Sequence, residues 1–96
     1  MQFEWDEEKD LDNQQKHGLS FQEARRLFES GVDYLEIFDP EHSESEDRFI
    51  AIGLVDHRLV VVWYAEPEDG VIRIIGARLA NKRERELFRS HMDQQR

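Results

Sequence analysis

A chain of 96 residues with no cysteine has room for one core and uses neither disulfides nor thiolate metal sites. Its formal charge of −9, from 13 basic and 22 acidic side chains, argues against a general nucleic-acid binder, because an acidic surface repels phosphate backbones. No basic stretch followed by an apolar one opens the chain, and the longest apolar run, "LVVVWYA" at 59–65, is far too short for a bilayer, so a single cytoplasmic domain over 1–96 is expected.

In chain order, "QFEW" alternates polar and aromatic residues and reads as a short strand. Asp6 then caps a helix with Glu7 and Glu8 in its first turn, where the helix dipole favours carboxylates. This helix runs to about Lys16 with Leu11 as its only large apolar residue, so it is expected to lie loosely on the surface. Gly18 suits the left-handed position just past its end. Ser20 and Glu23 form a capping-box pattern, with Leu19 and Ala24 as a hydrophobic staple, for a second helix that Gly31 stops.

Strands follow at "DYLEIF" (33–38), "RFIAIGLV" (48–55), "RLVVVWYAE" (58–66) and "VIRIIGARLA" (71–80), separated by a polar loop over 41–47, by Asp56-His57 and by the turn "PEDG" (67–70). Short connections predict an antiparallel meander. Asn81 and Glu84 repeat the capping-box pattern and open a terminal helix that includes Leu87 and Phe88. The fold class is α+β, with element order β-α-α-β-β-β-β-α and an antiparallel sheet packed with helices. Charge is unevenly spread along it: residues 1–47 hold 4 basic and 15 acidic side chains, whereas 71–96 hold 7 and 3. RNA would therefore be expected on the basic end, away from acids such as Glu44 and Glu46.

Several residues carry two readings. His17, in the last turn of its helix, is either a cation favoured by the negative end of the dipole or an imidazole whose protonated form that dipole holds ready for proton transfer. Arg73 alternates with Ile72 and Ile74, as a solvated outer-face residue would. Arg78 stands where the last strand meets the last helix, within reach of that helix's N-terminus. Tyr64 and Glu66 share one strand face, as core edge and solvated carboxylate or as a hydrogen-bonded pair at a cleft mouth. Lys82 and Arg83 open the mixed-charge "NKRERE". No histidine pair has a metal-ligand spacing, and there is no Gly-rich phosphate loop or G-x-S-x-G elbow. No cofactor or metal site is expected.

The segments "FEWDEEK", "KHGLSFQEA" with "LF", "DPEHSESEDRFIAIG", "RLVVVWYAE", "IRIIGAR" and "KRERELF", in that order and spacing, resemble the BrnT family, the toxin half of BrnT–BrnA type II toxin–antitoxin pairs. The resemblance implies a RelE-like fold, metal-independent RNA cleavage that inhibits translation, and a ribbon-helix-helix antitoxin of the BrnA kind. That antitoxin would hold the toxin in a heterotetramer and make the only DNA contact; no membrane is involved. It further implies His17 as proton donor or acceptor, Lys16 as a phosphate contact and Glu66 as a base. Arg73 and Arg78 would be the positive charges at the phosphate, Tyr64 a group that orients base or ribose, and Arg48, Lys82 and Arg83 further RNA contacts. The chain departs from the family pattern at Pro67, Gly76 and Phe88, where an arginine, a serine and a tyrosine are usual. A catalytically weakened toxin fold that still binds antitoxin and regulates transcription is the alternative reading.

Overall fold

The structure, a computed structural model, describes residues 1–42 and 46–95. The middle of the polar loop, 43–45, and Arg96 lie outside them. The elements are β1 (Gln2–Glu4), α1 (Glu7–His17), α2 (Phe21–Glu29), β2 (Leu35–Phe38), a 3-10 turn over Pro40–His42, β3 (Asp47–Val55), β4 (Arg58–Glu66), β5 (Val71–Leu79) and α3 (Lys82–Gln94). The order is the expected one.

The strands form one sheet in the order β1-β5-β4-β3-β2. Strands β2 to β5 are the antiparallel meander, but β1 runs parallel to β5, pairing Gln2 with Val71 and Glu4 with Arg73, so the sheet is mixed. The reason is the helical connection. Helices α1 and α2 carry the chain from β1 at one edge to β2 at the other, leaving β1 beside the last strand.

Both faces of the sheet are covered, which is why β4 reads as an unbroken apolar run. On one face, Leu19, Phe21, Ala24 and Leu27 from the α1–α2 side pack on Ala51, Val60, Val62, Tyr64, Ile72 and Ile74. On the other, Ile52, Val61 and Ala80 are joined by Leu35, Ile50, Leu59, Trp63 and the Phe88 ring of α3.

Helix α1 differs from expectation. Leu11 is indeed 59% exposed, yet Asp10 and Asn13 are buried, at 8% and 9%. The helix docks through polar side chains. Strand β1 flanks β5 only as far as Arg73, so this edge of β5 has no strand partner at Ala77. Asn13 takes that place: its Oδ1 accepts from Ala77 N–H (3.2 Å) while its Nδ2 donates to Ala77 C=O (2.8 Å) and to Leu19 C=O (2.9 Å). Its carboxamide satisfies the backbone as one residue of a neighbouring strand would. One turn earlier, Asp10 Oδ1 accepts from Phe21 N–H (2.8 Å), a donor in the first turn of α2, where a carboxylate also meets the favourable end of the dipole. Gly18, at φ 67°, ends α1 by donating to Gln14 C=O. The corner at Lys16-His17 is therefore fixed from both sides.

A bulge interrupts β5. Trp63 pairs with Gly76 and Tyr64 with Ile74, so one step along β4 answers two along β5, and Ile75 is the extra residue.

Replacing Asn13 by Ala should destabilise the fold by about 3 kcal/mol, because buried Ala77 and Leu19 backbone groups lose their partners. Asn13→Asp should be comparably harmful, since a carboxylate would face two carbonyl oxygens. Urea unfolding measures both; a loss below about 1 kcal/mol would show that α1 is held by something else.

Candidate functional site

Strand register arranges the second face in rows. Arg48, Ala65 and Arg73 form one row, Ile50, Trp63 and Gly76 the next, and Ile52, Val61 and Arg78 the third. Helix α3 packs on the third row through Phe88 and leaves space over the second. The result is a cleft of about 330 Å³ lined by Asp39, Arg48, Phe49, Trp63, Tyr64, Ile75 and Gly76. Three arginines and one indole thus share a face.

Each of these arginines meets a carboxylate. Arg78 donates to both oxygens of Glu84 in the first turn of α3, at 2.7 and 2.9 Å, and its guanidinium lies over the Trp63 ring, 4.9 Å from the centroid. Glu84 also closes the Asn81 capping box, so one carboxylate fixes both the helix start and the arginine. The Arg78 hydrogen bond is the main reason why the Glu84 carboxyl titrates below the usual carboxylate range. Arg73 donates to Glu4 (2.8 Å) and to Glu46 (3.0 Å), and Glu46 also lies 3.7 Å from Arg48. This corrects the expected separation of acidic front and basic back. Glu46, with a side chain 16% exposed, sits among the arginines because the acidic loop leads directly into β3; Glu44 lies outside the described residues. Lys82 and Arg83 are exposed beside Glu84 at the start of α3.

Lys16 and His17 are exposed on α1 and, with Lys9, Asp12, Asn13 and Ile75, line a shallow groove of about 240 Å³. Ile75 borders both this groove and the arginine cleft. The bulge therefore joins the corner to the cleft.

Tyr64 and Glu66 point the other way, toward the α1–α2 side of the sheet, and are not hydrogen-bonded to each other among the bonds of the described residues. The Tyr64 hydroxyl donates instead to Glu36 of β2. Its ring, 1% exposed, packs between Phe28 (4.9 Å) and Phe49 (5.4 Å). Burial, then the Glu36 hydrogen bond, pushes the phenol far above its ordinary range, so it stays protonated. Glu66 is exposed at the end of β4, opposite Asp47, and borders a separate small depression with Tyr34 and Gly70. Partial burial and then the charges of Glu36, Asp47 and Asp69 raise its carboxyl above the usual range. Among the described residues no three histidine or acidic side chains converge as metal ligands.

Trp63 and Glu36 were not singled out by sequence reasoning, Gly76 only as a departure from the family pattern, and Glu46 only as an acid expected away from RNA. An indole in a strand of valines reads as core, and only the register reveals the arginines around it. The signal for Asp10 and Asn13 was available: a helix with one large apolar residue must dock by other means.

Opposite pH dependences follow for the two perturbed carboxylates. Ionised Glu66 opposes folding, so Glu66→Gln should raise Tm at pH 7, and the gain should vanish as pH falls through the carboxylate range. Ionised Glu84 supports folding, so Glu84→Gln should lower Tm at pH 7 and cost progressively less as pH falls below the ordinary carboxylate value. Thermal unfolding between pH 3 and pH 7 reads both; equal signs would refute the assigned environments.

A family profile described as "Ribonuclease toxin, BrnT, of type II toxin-antitoxin system" matches residues 5–84. Among solved structures, the crystal structure of the Brucella abortus ribonuclease toxin BrnT is similar, with a TM-score of 0.63 and 26% identity, over 85% of this chain and 99% of that one. No curated protein sequence matches. The profile takes in the Lys16-His17 corner, the bulge and the arginine-lined cleft, and on the strength of that match the chain belongs to the BrnT family of ribonuclease toxins of type II toxin–antitoxin systems.

Proposed function

We propose that this chain cuts RNA without a metal ion, thereby inhibiting translation, and that a basic ribbon-helix-helix antitoxin neutralises it. The observation that carries the reading is the gathering of Arg48, Arg73 and Arg78 on one sheet face, with the Lys16-His17 corner adjoining across Ile75. In such a reaction the ribose 2′-oxygen forms a bond to the adjacent phosphorus as the bond to the 5′-oxygen breaks. One proton leaves the 2′-hydroxyl and one reaches the departing oxygen. His17 exchanges a proton at one end of the site. Glu66, whose raised pKa would suit a proton acceptor, faces the other side of the sheet and stands outside this set. The arginines, with Lys16, Lys82 and Arg83 at the margins, balance the charge that builds on the phosphoryl oxygens. Tyr64 acts on RNA only indirectly in this scheme, by fixing the sheet beneath the cleft.

A second reading has its own support. Arg73 and Arg78 are already paired with carboxylates, and Pro67 stands where the family pattern has a further cation, so a chain that keeps antitoxin binding with weakened cleavage is also consistent. Inducible expression in a bacterial host, with growth and RNA integrity followed, separates the two. The ribonuclease reading requires RNA loss without antitoxin.

On a labelled RNA in chelator-containing buffer, Arg78→Ala or His17→Ala should lower the initial rate by about a hundredfold or more. Glu46→Gln should raise RNA affinity about twofold to fivefold, because it releases a competitor from Arg73. Undiminished cleavage by both alanine variants would reject the site. With its net charge of −9, the chain should associate rapidly with a basic antitoxin and assemble as two toxins on an antitoxin dimer. Light scattering of the co-expressed pair measures that mass, and separate elution at low salt would contradict it.

A further inference from the structure

We propose that the cleft on the α3 side of the sheet is a subsite for one unstacked base of a single-stranded RNA, with the Trp63 indole as the stacking platform and Gly76 as the residue that keeps it uncovered. The proposal rests on the ribonuclease reading and names what seats the substrate.

Trp63 lies between Val61 and Ala65 on its face of β4. Both neighbours are fully buried, while the larger indole stays partly exposed. Beside it stands Gly76. A glycine inside a strand weakens it and calls for a reason. Backbone conformation supplies none, since Gly76 is not among the glycines with positive φ. Crowding supplies none either: a Cβ at this position would meet Trp63 Cε3 at 3.9 Å and Asn13 Oδ1 at 4.0 Å, both ordinary contacts. What a side chain would do is cover the six-membered ring of the indole. The missing side chain leaves that ring facing a cleft of about 330 Å³, at the small end of the range that holds low-molecular-weight ligands.

The surroundings specify the occupant. Aromatic faces accept any base by stacking; the Arg78 guanidinium lies over one face of the indole, 4.9 Å from a ring centroid, so a seated base takes the other. Arg48 and Arg73 stand in the neighbouring row, where the backbone of a seated nucleotide would run. Past Ile75 the groove on α1 continues the path with Lys9 and Lys16, two turns apart on one helical stripe with Asp12 between them, as cations for the next phosphate. A duplex would keep its bases stacked and paired away from the indole, so the strand must be single.

The test uses the full chain and a short labelled 2′-O-methyl RNA, which binds but cannot be cut because its attacking hydroxyl is capped. Fluorescence anisotropy gives Kd for this strand and for an abasic strand of equal charge. The wild type should prefer the base-bearing strand by about tenfold. Gly76→Ala should weaken that preference, and Gly76→Leu, whose side chain fills the cleft, should reduce it below about twofold while binding to the abasic strand stays unchanged. Unaltered thermal unfolding would show that the variants remain folded; Gly76→Ala, which introduces only ordinary contacts, is the safer of the two. A wild type that does not distinguish the strands, or a Gly76→Leu variant that distinguishes them as well as the wild type, overturns the subsite. Cleavage of an unmodified RNA is measured in parallel. Cleavage without base-dependent binding removes the subsite alone, whereas absence of both removes the ribonuclease reading with it.

Discussion

Side chains alternate along a strand with a period of two, so residues five apart face opposite ways. Arg73 and Arg78 are five apart and face the same way, because Ile75 is an extra residue between them. The placement of Arg78 on the α3 side, in line with Arg48 and Arg73, depends on that one insertion. Without it, Arg78 would turn into the core beneath α1 and α2, away from Glu84 and Trp63. The bulge also brings Ile75 to the edge of β5, where it borders both the cleft and the groove beside His17. Two residues past Ile75 comes Ala77, whose backbone groups hold Asn13. One irregularity in a strand thus decides which face carries Arg78 and where the first helix docks.

Much of the fold was legible because its signals are local. Gly18 and the Ser20 and Asn81 caps mark helix ends within a few residues, and the alternation and turn chemistry of 48–80 set the meander. The parallel placement of β1 was not legible, since nothing local in "QFE" distinguishes a partner 69 residues later, as for Glu4 and Arg73, from one nearby. The family was readable from motif order. The grouping of the site was less so. Arg48 and Arg73 share a row through Ala65, a relation of register across three strands, while Tyr64 and Glu66, close in sequence to Trp63, face the opposite side. A one-dimensional reading of β5 would also place Arg73 and Arg78 on opposite faces.

Net charge proved a poor guide to local charge. The chain is strongly acidic, yet the sheet face that holds its cleft carries three guanidinium groups, each with a carboxylate at hand: Glu4 and Glu46 for Arg73, Glu46 for Arg48, Glu84 for Arg78. These pairs are partly exposed, so each contributes little to stability. Their larger effect is on position. Glu84 holds the Arg78 fork over the indole, and a guanidinium already oriented loses less freedom when it meets an anion. The same carboxylates compete for that anion, so orientation and occupancy are in tension within one site.

The parallel β1–β5 pairing and the Asn13–Ala77 bonds have a consequence in time. Asn13 meets its partner 64 residues further along the chain. At about 5–20 residues per second, a ribosome needs on the order of several seconds to make that stretch. Throughout that interval α1 has no strand edge to grip, and β5, with the bulge that orients its arginines, does not yet exist. Even then the last strand must clear the exit tunnel before the sheet can close. A nascent chain therefore lacks the assembled cationic face until β5 has been made and has cleared the tunnel.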